Sequence, residues 1–229
     1  GFNNTRADNM TAHIVNALLE RNPQVDASMV EDIILGCGNP EGAQGHNIAR
    51  NVAVLSNLPI ETGGITVNRY CSSGLNSIAM AATQIQSGFS DCIIAGGVES
   101  ISTSQGHTNM HMYVNEDLAA NAPGIYHAMG TTAEAVAQRY DVSREAQDEY
   151  ALSSQQRCAA AQDAGRYDDE IIPMATKMML KNKETGAEKE VDVVVDGDDC
   201  NRPQTTLEGL SSLNPVFDPE NGSVTAGNA

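Results

Sequence analysis

The sequence contains no tryptophan, and aromatic residues make up only 4% of it. A core without large rings must be built mainly from aliphatic side chains. Hydrophobic residues still account for 41% of the 229 positions, so the chain has enough apolar material to bury a core. This length suits one large domain or two small ones.

Basic residues are also scarce. Thirteen Lys and Arg stand against thirty Asp and Glu, which gives a formal net charge of −17 and a sequence pI of about 4.4. A surface this acidic repels nucleic acid and anionic lipid, so we expect neither as a partner. A phosphate-bearing ligand would need a local basic patch, and all four lysines fall within residues 177–189. Because clustered lysines usually mark a solvated face, a charged hairpin tip is favoured over a phosphate contact.

Paired cysteines of the metal-binding or redox type are absent. The five cysteines are widely spaced without a CxxC pair, so no metal site and no redox dithiol is predicted. Free thiols indicate a reducing compartment, the cytoplasm, or a peroxisome or mitochondrion if the source is eukaryotic. No apolar run approaches the roughly 20 residues that cross a bilayer, and no secretory signal is visible, so membrane insertion is not expected. Since the sequence starts at Gly1 and stops at Ala229 within a Gly-rich turn, we expect both ends to be cut.

The first hundred residues contain a regular alternation of apolar patterns. Helical periodicity marks residues 7–21, 47–58 and 72–86, and short apolar runs predict strands at 30–35, 64–68 and 92–95. On the third helix, one face carries Leu75, Ile78, Ala79, Ala82 and Ile85. Strands that alternate with helices indicate an α/β fold with a mostly parallel sheet and helices on its faces.

The pattern becomes less regular after about residue 102. Residues 104–128 show no clean period and predict a long functional or covering loop. The elements expected beyond it are helices at 131–140 and 144–163 and strands at 170–174 and 191–195. Ser143 is predicted as the N-cap of the second helix, and Gln147 stands near the position expected of a capping-box partner.

Cys71 stands at the junction of a predicted strand and a predicted helix. This is the geometry of a nucleophile elbow, with cysteine where a hydrolase would have serine. The free N–H groups and positive end of the helix would stabilise a thiolate and could hold an oxyanion on a bound acyl group. The small residues that follow, Ser72, Ser73 and Gly74, leave room for a substrate.

The plain alternative is that Cys71 only fills space, because cysteine is among the most buried residue types. The elbow position argues for reactivity. Cys37, in a glycine turn, is interpreted as structural, and Cys92 and Cys158 as packing residues. Cys200 lies in an acidic stretch, which disfavours a thiolate.

Five short motifs follow one another along the chain: 68–74 (NRYCSSG), 91–100 (DCIIAGGVES), 129–134 (MGTTAE), 143–148 (SREAQD) and 224–229 (VTAGNA). The first two resemble the acyl-enzyme region of the thiolase family. The third resembles the segment beside the acyl pocket, the fourth the helix start that follows it, and the fifth the return to the core fold. The resemblance covers essentially the whole chain, and several motifs in the family's order argue against a chance match.

The resemblance implies a layered thiolase-like α/β fold, of which this chain is the N-terminal part and one half of a pseudo-duplicated core. Residues 1–101 would form the core with its first strand missing, 102–217 an inserted loop domain, and 218–229 the return to the core. In this family the strand that leads to the nucleophile lies near the dimer interface, so a homodimer or homotetramer is implied.

The implied reaction is covalent ping-pong catalysis, with coenzyme A as a substrate and no cofactor. Cys71 would attack the keto carbon of a 3-ketoacyl-CoA, acetyl-CoA would leave, and the acyl group would pass to a second CoA. The reverse reaction would join two acyl-CoA units. The family's activating His and second Cys belong to motifs of the C-terminal half, and none of the five His residues present matches. This chain alone is therefore expected to be inactive.

Two further residues are implied to bind substrate. Met129 would line the acyl tunnel, although methionine at a helix start is more often core filling. Arg202 would contact the adenine nucleotide end of CoA, the alternative being a solvated surface arginine. Glu99 is expected to hold backbone N–H groups in a turn rather than to act as a general base.

Two positions bear on the subfamily. Cys71 followed by Ser-Ser-Gly is similar to degradative 3-ketoacyl-CoA thiolases, whereas acetoacetyl-specific members more often carry Gly-Ser-Gly there and a His where Ala128 stands. Broad chain-length use is therefore predicted. An acetoacetyl-CoA-specific acetyltransferase, a ketoacyl synthase relative with carrier-bound substrates, and a non-catalytic acyl-CoA-binding domain are the alternatives.

Overall fold

The chain folds into two compact units, each assembled from two separate stretches of sequence. A computed structural model describes residues 1–229. Unit 1 consists of Gly1–Asn109 and Ile172–Gly197, and unit 2 of Met110–Ile171 and Asp198–Ala229. The predicted division at residues 102 and 217 refers to family domains and stays a prediction. None of the helices is both long and apolar enough to span a membrane.

A three-stranded parallel sheet forms the centre of unit 1. Its strands are β1 (Asp32–Gly36), β2 (Gly63–Val67) and β3 (Ile93–Gly97), in the order β2-β1-β3. Parallel neighbours need a crossover, which α2 (Ile48–Leu55) and α3 (Ser73–Gln86) supply between successive strands. The predicted α/β class with a parallel sheet is confirmed.

The core of unit 1 is aliphatic, as the absence of tryptophan requires. It lies between β1, α2 and α1 (Ala7–Arg21), and α1 has the bounds that the periodicity predicted. Ile33, Ile48 and Val52 are completely buried. Each buried side chain of this size contributes about 1.5–3 kcal/mol, so this cluster is the main source of stability for the central strand.

Helix α3 turns its small residues toward the sheet. Ser77 is completely buried, and its hydroxyl donates to Gly96 O at 2.7 Å. The larger residues Leu75, Ile78 and Ile85 share the opposite face, as predicted, but they are 74%, 53% and 43% exposed. Close packing of helix on sheet therefore depends on serine and alanine, and the more apolar face has no partner within unit 1.

An antiparallel hairpin completes unit 1. It pairs β4 (Met174–Lys181) with β5 (Glu188–Val195). The predicted strand at 170–174 was wrong, because Pro173 has no N–H for a ladder and the strand begins only after it. The N-terminal segment binds the outer edge of β4, where Asn3 Nδ2 donates to Met179 O at 2.8 Å and Asn3 Oδ1 accepts from Met179 N at 3.0 Å.

Unit 2 is mainly helical. Its helices are α5 (Glu116–Asn121), α6 (Met129–Arg139), α7 (Arg144–Asp163) and α8 (Leu207–Ser211), and a short helix α4 (Ile101–Ser104) belongs to unit 1. The bounds of α7 and its N-cap are as predicted, since Ser143 Oγ accepts from Ala146 N at 3.2 Å. Gln147 was wrong as a capping-box partner. Its Nε2 donates to Val142 O at 3.1 Å and to Ser223 Oγ at 2.9 Å instead.

Candidate active site

The turn between β2 and α3 carries Cys71. Two side chains shape it: Asn68 Oδ1 accepts from Tyr70 N at 2.9 Å, and Ser73 Oγ accepts from Arg69 N at 2.8 Å. Tyr70 has a φ of +47°, in the left-handed region that large side chains seldom adopt. These contacts turn the chain sharply between strand and helix, which is the strand–turn–helix arrangement that the sequence predicted around Cys71.

Exposure and surroundings separate Cys71 from the other four cysteines. Cys71 and Cys200 are exposed, Cys92 and Cys158 are half-buried, and Cys37 is buried. Burial, and after it the Glu99 carboxylate, raises the pKa of Cys37 to about 11, so its thiol stays protonated at neutral pH. Cys71 is thus the exposed thiol that stands next to a helix N-terminus.

The first turn of α3 offers hydrogen-bond donors next to Cys71. The N–H groups of Ser72 and Ser73 bond to Arg69 O and Tyr70 O at 3.1 and 3.0 Å, but those of Gly74 and Leu75 have no acceptor in the chain. Free N–H groups and the positive end of the helix dipole favour negative charge. This end of α3 can therefore stabilise a thiolate or an oxyanion.

Glycine at position 36 allows α3 to start directly above the sheet. A Cβ on Gly36 would overlap the backbone of Ser73 and Gly74. The first residues of α3 therefore pack directly against Gly36 at the end of β1. This contact fixes how far the Cys71 turn lies from the sheet.

Glu99, just after β3, holds one backbone N–H group of a turn, where the sequence predicted more than one, together with a side-chain amide. Its Oε2 accepts from Gly38 N at 2.7 Å, and its Oε1 accepts from the side-chain amide of Gln44. Both carboxylate oxygens are engaged within the turn. The contacts are those of a turn-holding residue and not of a free base.

Met129 lies on an apolar cavity in unit 2. The cavity has a volume of about 750 Å³, and its walls include Met129, Val136, Val142, Tyr150, Phe217 and Val224. Met129 itself is 69% exposed, so it is not core filling. Phe217 contacts Gly130 so closely that no Cβ would fit there. Sequence reasoning missed Phe217, although one of only three phenylalanines was a signal in so aromatic-poor a chain.

Two buried carboxylates bind residues 223–229, which contribute one wall of the Met129 cavity. Glu134 accepts from Ser223 N and Val224 N at 3.0 and 2.8 Å. Asp148 Oδ1 accepts from Asn228 Nδ2 at 2.8 Å. Because residues 223–229 have no helix or strand of their own, these side chains determine where that wall stands.

Arg202 is exposed in unit 2, and its guanidinium makes no hydrogen bond or ion pair in the chain. Its backbone is fixed, since Arg202 N donates to Gln155 Oε1 at 2.6 Å. The lysines behave differently. Lys177 and Lys181 pair with Glu190 and Glu188 across the hairpin at 2.8 and 3.3 Å, which supports a charged hairpin over a phosphate site.

The family model described as "Thiolase, N-terminal domain" matches residues 1–229. The chain belongs to the thiolase family. Its parallel α/β fold agrees with one half of the family's pseudo-duplicated core, as the sequence implied. Cys71 of this thiolase chain stands in unit 1, whereas Met129 and Arg202 stand in unit 2.

Curated relatives carry the name 3-ketoacyl-CoA thiolase. The chain is 42% identical to the protein of Vibrio vulnificus (strain CMCP6) over 231 residues, covering 99% of this chain and 56% of the relative. It is 44% identical to the protein of Bacillus subtilis (strain 168) over 226 residues, covering 98% of this chain and 56% of the relative. The chain thus spans about half the length of the curated relatives it matches.

Proposed function

We propose that the protein containing this chain is an acetyl-CoA C-acyltransferase that cleaves 3-ketoacyl-CoA with CoA, and that Cys71 is its nucleophile. The observation that carries the proposal is an exposed thiol at a helix N-terminus, at the strand–helix turn of a thiolase-family chain. The name of the relatives, 3-ketoacyl-CoA thiolase, supports the substrate.

In the proposed reaction the Cys71 thiolate attacks C3 of the 3-ketoacyl-CoA. The C2–C3 bond then breaks, its electron pair passes to C2, and C2 takes up a proton to give acetyl-CoA. The acyl group remains on Cys71 as a thioester until the thiolate of a second CoA attacks it and releases acyl-CoA. The free N–H groups of Gly74 and Leu75 suit the oxyanions of these steps. The acid and base groups come from beyond this chain.

The cavity around Met129 supports use of long acyl chains. Its walls are almost entirely apolar, and its volume of about 750 Å³ lies in the range of ordinary ligand pockets. A pocket of this size and polarity suits an apolar chain, so we expect broad chain-length use.

Arg202 suits the nucleotide end of CoA. Its guanidinium has no partner in the chain, while its backbone is held by Gln155. Because guanidinium groups bind phosphate and stack on aromatic bases, a fixed Arg202 with a free head group can take this role. No cofactor is required, CoA being a substrate. The five free cysteines support a reducing compartment such as the cytoplasm, and we expect a homodimer or homotetramer.

The test is turnover by the full-length protein with 3-ketoacyl-CoA substrates of increasing chain length. Cys71→Ser should lower turnover by about 10³-fold or more, as removal of a nucleophile does. Cys200→Ser, at the other exposed cysteine, should leave it unchanged. Acetyl-CoA should label only the peptide that contains Cys71, as peptide mass mapping would record. An acyl group on Cys200, or full turnover by the Cys71 variant, would contradict the assignment.

The same assay decides among the alternatives. Turnover of acetoacetyl-CoA alone would mark a short-chain acetyltransferase. Turnover only with a carrier-bound substrate would mark a ketoacyl synthase relative. Binding of acyl-CoA without turnover would mark a non-catalytic domain. A light-scattering mass equal to one chain of the full-length protein would contradict the expected oligomer.

A further inference from the structure

Hydrogen bonds link the end of β3 to the turn that carries Cys71, and they begin at Gln44. This side chain is completely buried, and its Oε1 accepts from Ser100 N at 2.7 Å. Its Nε2 donates to Glu99 Oε1 and, at 2.7 Å, to Asn39 O. An amide with its oxygen and its N–H groups engaged has a single orientation, so Gln44 fixes the Glu99 carboxylate.

The bonds continue from Glu99 to the Cys71 turn through Gly38. Glu99 Oε2 accepts from Gly38 N at 2.7 Å, and Gly38 O accepts from Asn68 Nδ2 at 3.1 Å. Asn68 Oδ1 accepts from Tyr70 N at 2.9 Å, one residue before Cys71. We call Gln44, Glu99, Gly38 and Asn68 the Glu99 network.

Close packing at Gly38 makes the Glu99 network rigid. A Cβ on Gly38 would stand 2.9 Å from Glu99 Oε2 and 3.5 Å from the Tyr70 backbone. Tyr70 is also the residue with a φ of +47°, a conformation that persists only where the surroundings enforce it. The network therefore supplies the contacts that hold this unfavourable conformation directly before Cys71.

We propose that Glu99 is a positioning residue for Cys71, acting through Gly38 and Asn68. The proposal rests on the proposed function of Cys71 as the acyl-accepting nucleophile. A carboxylate suits the position because both oxygens accept. A glutamine there would turn its own NH₂ group toward the N–H of either Gly38 or Gln44. A displacement of a reacting group by about 1 Å can lower a reaction rate about 10²-fold. Loss of Glu99 should therefore slow acylation of Cys71 even though the protein remains folded.

The experiment follows each cysteine separately in the full-length protein. Glu99→Ala and Glu99→Gln are compared with Glu20→Gln, an exposed glutamate of α1 without a bond to the Glu99 network. Quenched-flow mass mapping measures acylation of Cys71 by acyl-CoA, and iodoacetamide labelling measures the reactivity of every thiol. Cys37, which is buried beside Glu99, reports whether the fold is intact.

We expect Glu99→Ala to lower the maximal acylation rate of Cys71 by about 10- to 100-fold at an unchanged KM. Glu99→Gln should lower it less, and Glu20→Gln not at all. The rate at which iodoacetamide labels Cys71 should change about two- to fivefold in Glu99→Ala, because the turn that carries the sulfur is no longer held by Gly38 and Asn68. Cys37 should remain unlabelled. A wild-type acylation rate together with a protected Cys37 would overturn the proposal.

A second variant covers the case in which Glu99→Ala loses its fold and Cys37 becomes labelled. Asn68→Asp keeps an oxygen that accepts from Tyr70 N, but it loses the NH₂ group that donates to Gly38 O. This variant should therefore also slow acylation of Cys71. A wild-type rate in this variant would overturn the proposal. One outcome would separate the two proposals. If acyl-CoA acylates neither the wild type nor any variant, but iodoacetamide labels Cys71 at different rates in the wild type and Glu99→Ala, the proposed function fails and the positioning role of Glu99 stands.

Discussion

Replacing Asp148 with alanine should destabilise unit 2 strongly, because this carboxylate is 1% exposed and has two partners. Asp148 Oδ2 lies 2.9 Å from Arg144 Nε, and Asp148 Oδ1 accepts from Asn228 Nδ2 at 2.8 Å. Arg144 also donates to Leu210 O and Leu213 O at 2.7 and 3.0 Å. One carboxylate thus joins α7 to α8 and to the end of the chain.

The magnitude follows from burial of the pair. The side chain of Arg144 is 23% exposed, so water cannot fully replace the lost carboxylate. Removing one partner of a buried ion pair costs about 3–5 kcal/mol. The whole unfolding free energy of a domain is about 5–15 kcal/mol. Asp148→Ala should therefore remove a large share of the free energy of unfolding of unit 2. Asp148→Asn, which keeps an acceptor oxygen, should cost less.

Native-state hydrogen exchange in the full-length protein measures this loss as a lower opening free energy for the amides of α7. Glu149→Gln, at the exposed neighbouring position, serves as the matched control and should change nothing. A loss below about 1 kcal/mol for Asp148→Ala, or a loss equal to that of the control, would refute the reasoning that the pair acts as a buried one.

Three further predictions concern unit 1. Because the pKa of Cys37 is raised from its ordinary 9.0 to about 11, the folded state holds the thiol proton more tightly. The stability that the protonated Cys37 thiol contributes is complete below pH 9, and about 2–3 kcal/mol of it is lost as the pH rises toward 11. Unfolding free energies measured across this pH range should show the loss, and Cys37→Ala should remove the pH dependence. Gly36→Ala should lower stability by about 1–3 kcal/mol and slow acylation by acyl-CoA, whereas Gly197→Ala, with open space around it, should do neither in the same assays. Asn3→Ala should speed hydrogen exchange at Met179 N, which loses its acceptor, and unchanged protection there would contradict the edge contact.

Local signals predicted most of the helices but not which of their faces would pack. The bounds of α1 and α7 follow from periodicity and from a serine N-cap, which are properties of neighbouring residues. The face of α3 that carries Ile78 is its most apolar one, yet the sheet binds Ser77 on the other side, where Ala81 is also buried. Packing depends here on how closely two backbones approach, and hydropathy alone contains no such information.

The candidate site divides in the same way. Cys71 was predictable because strand, turn and helix follow one another in sequence. Phe217 and Asn228 were not, because they reach the Met129 cavity only through folding over about 90 residues. Gln44 was missed as well, since a glutamine in a loop carries no signal that it will be completely buried against Ser100.

Unit 1 is built from two separate stretches of sequence, so its parts become available at different times during synthesis. The sheet and its helices are all present once Asn109 has been made, but the hairpin that binds Asn3 comes only with Ile172–Gly197. A ribosome adding about 5–20 residues per second needs on the order of 3–12 s for the intervening residues 110–171. For those seconds Asn3 and its neighbours lack the β4 edge that they will bind, so a nascent chain halted near residue 170 should be cut by protease around Asn3.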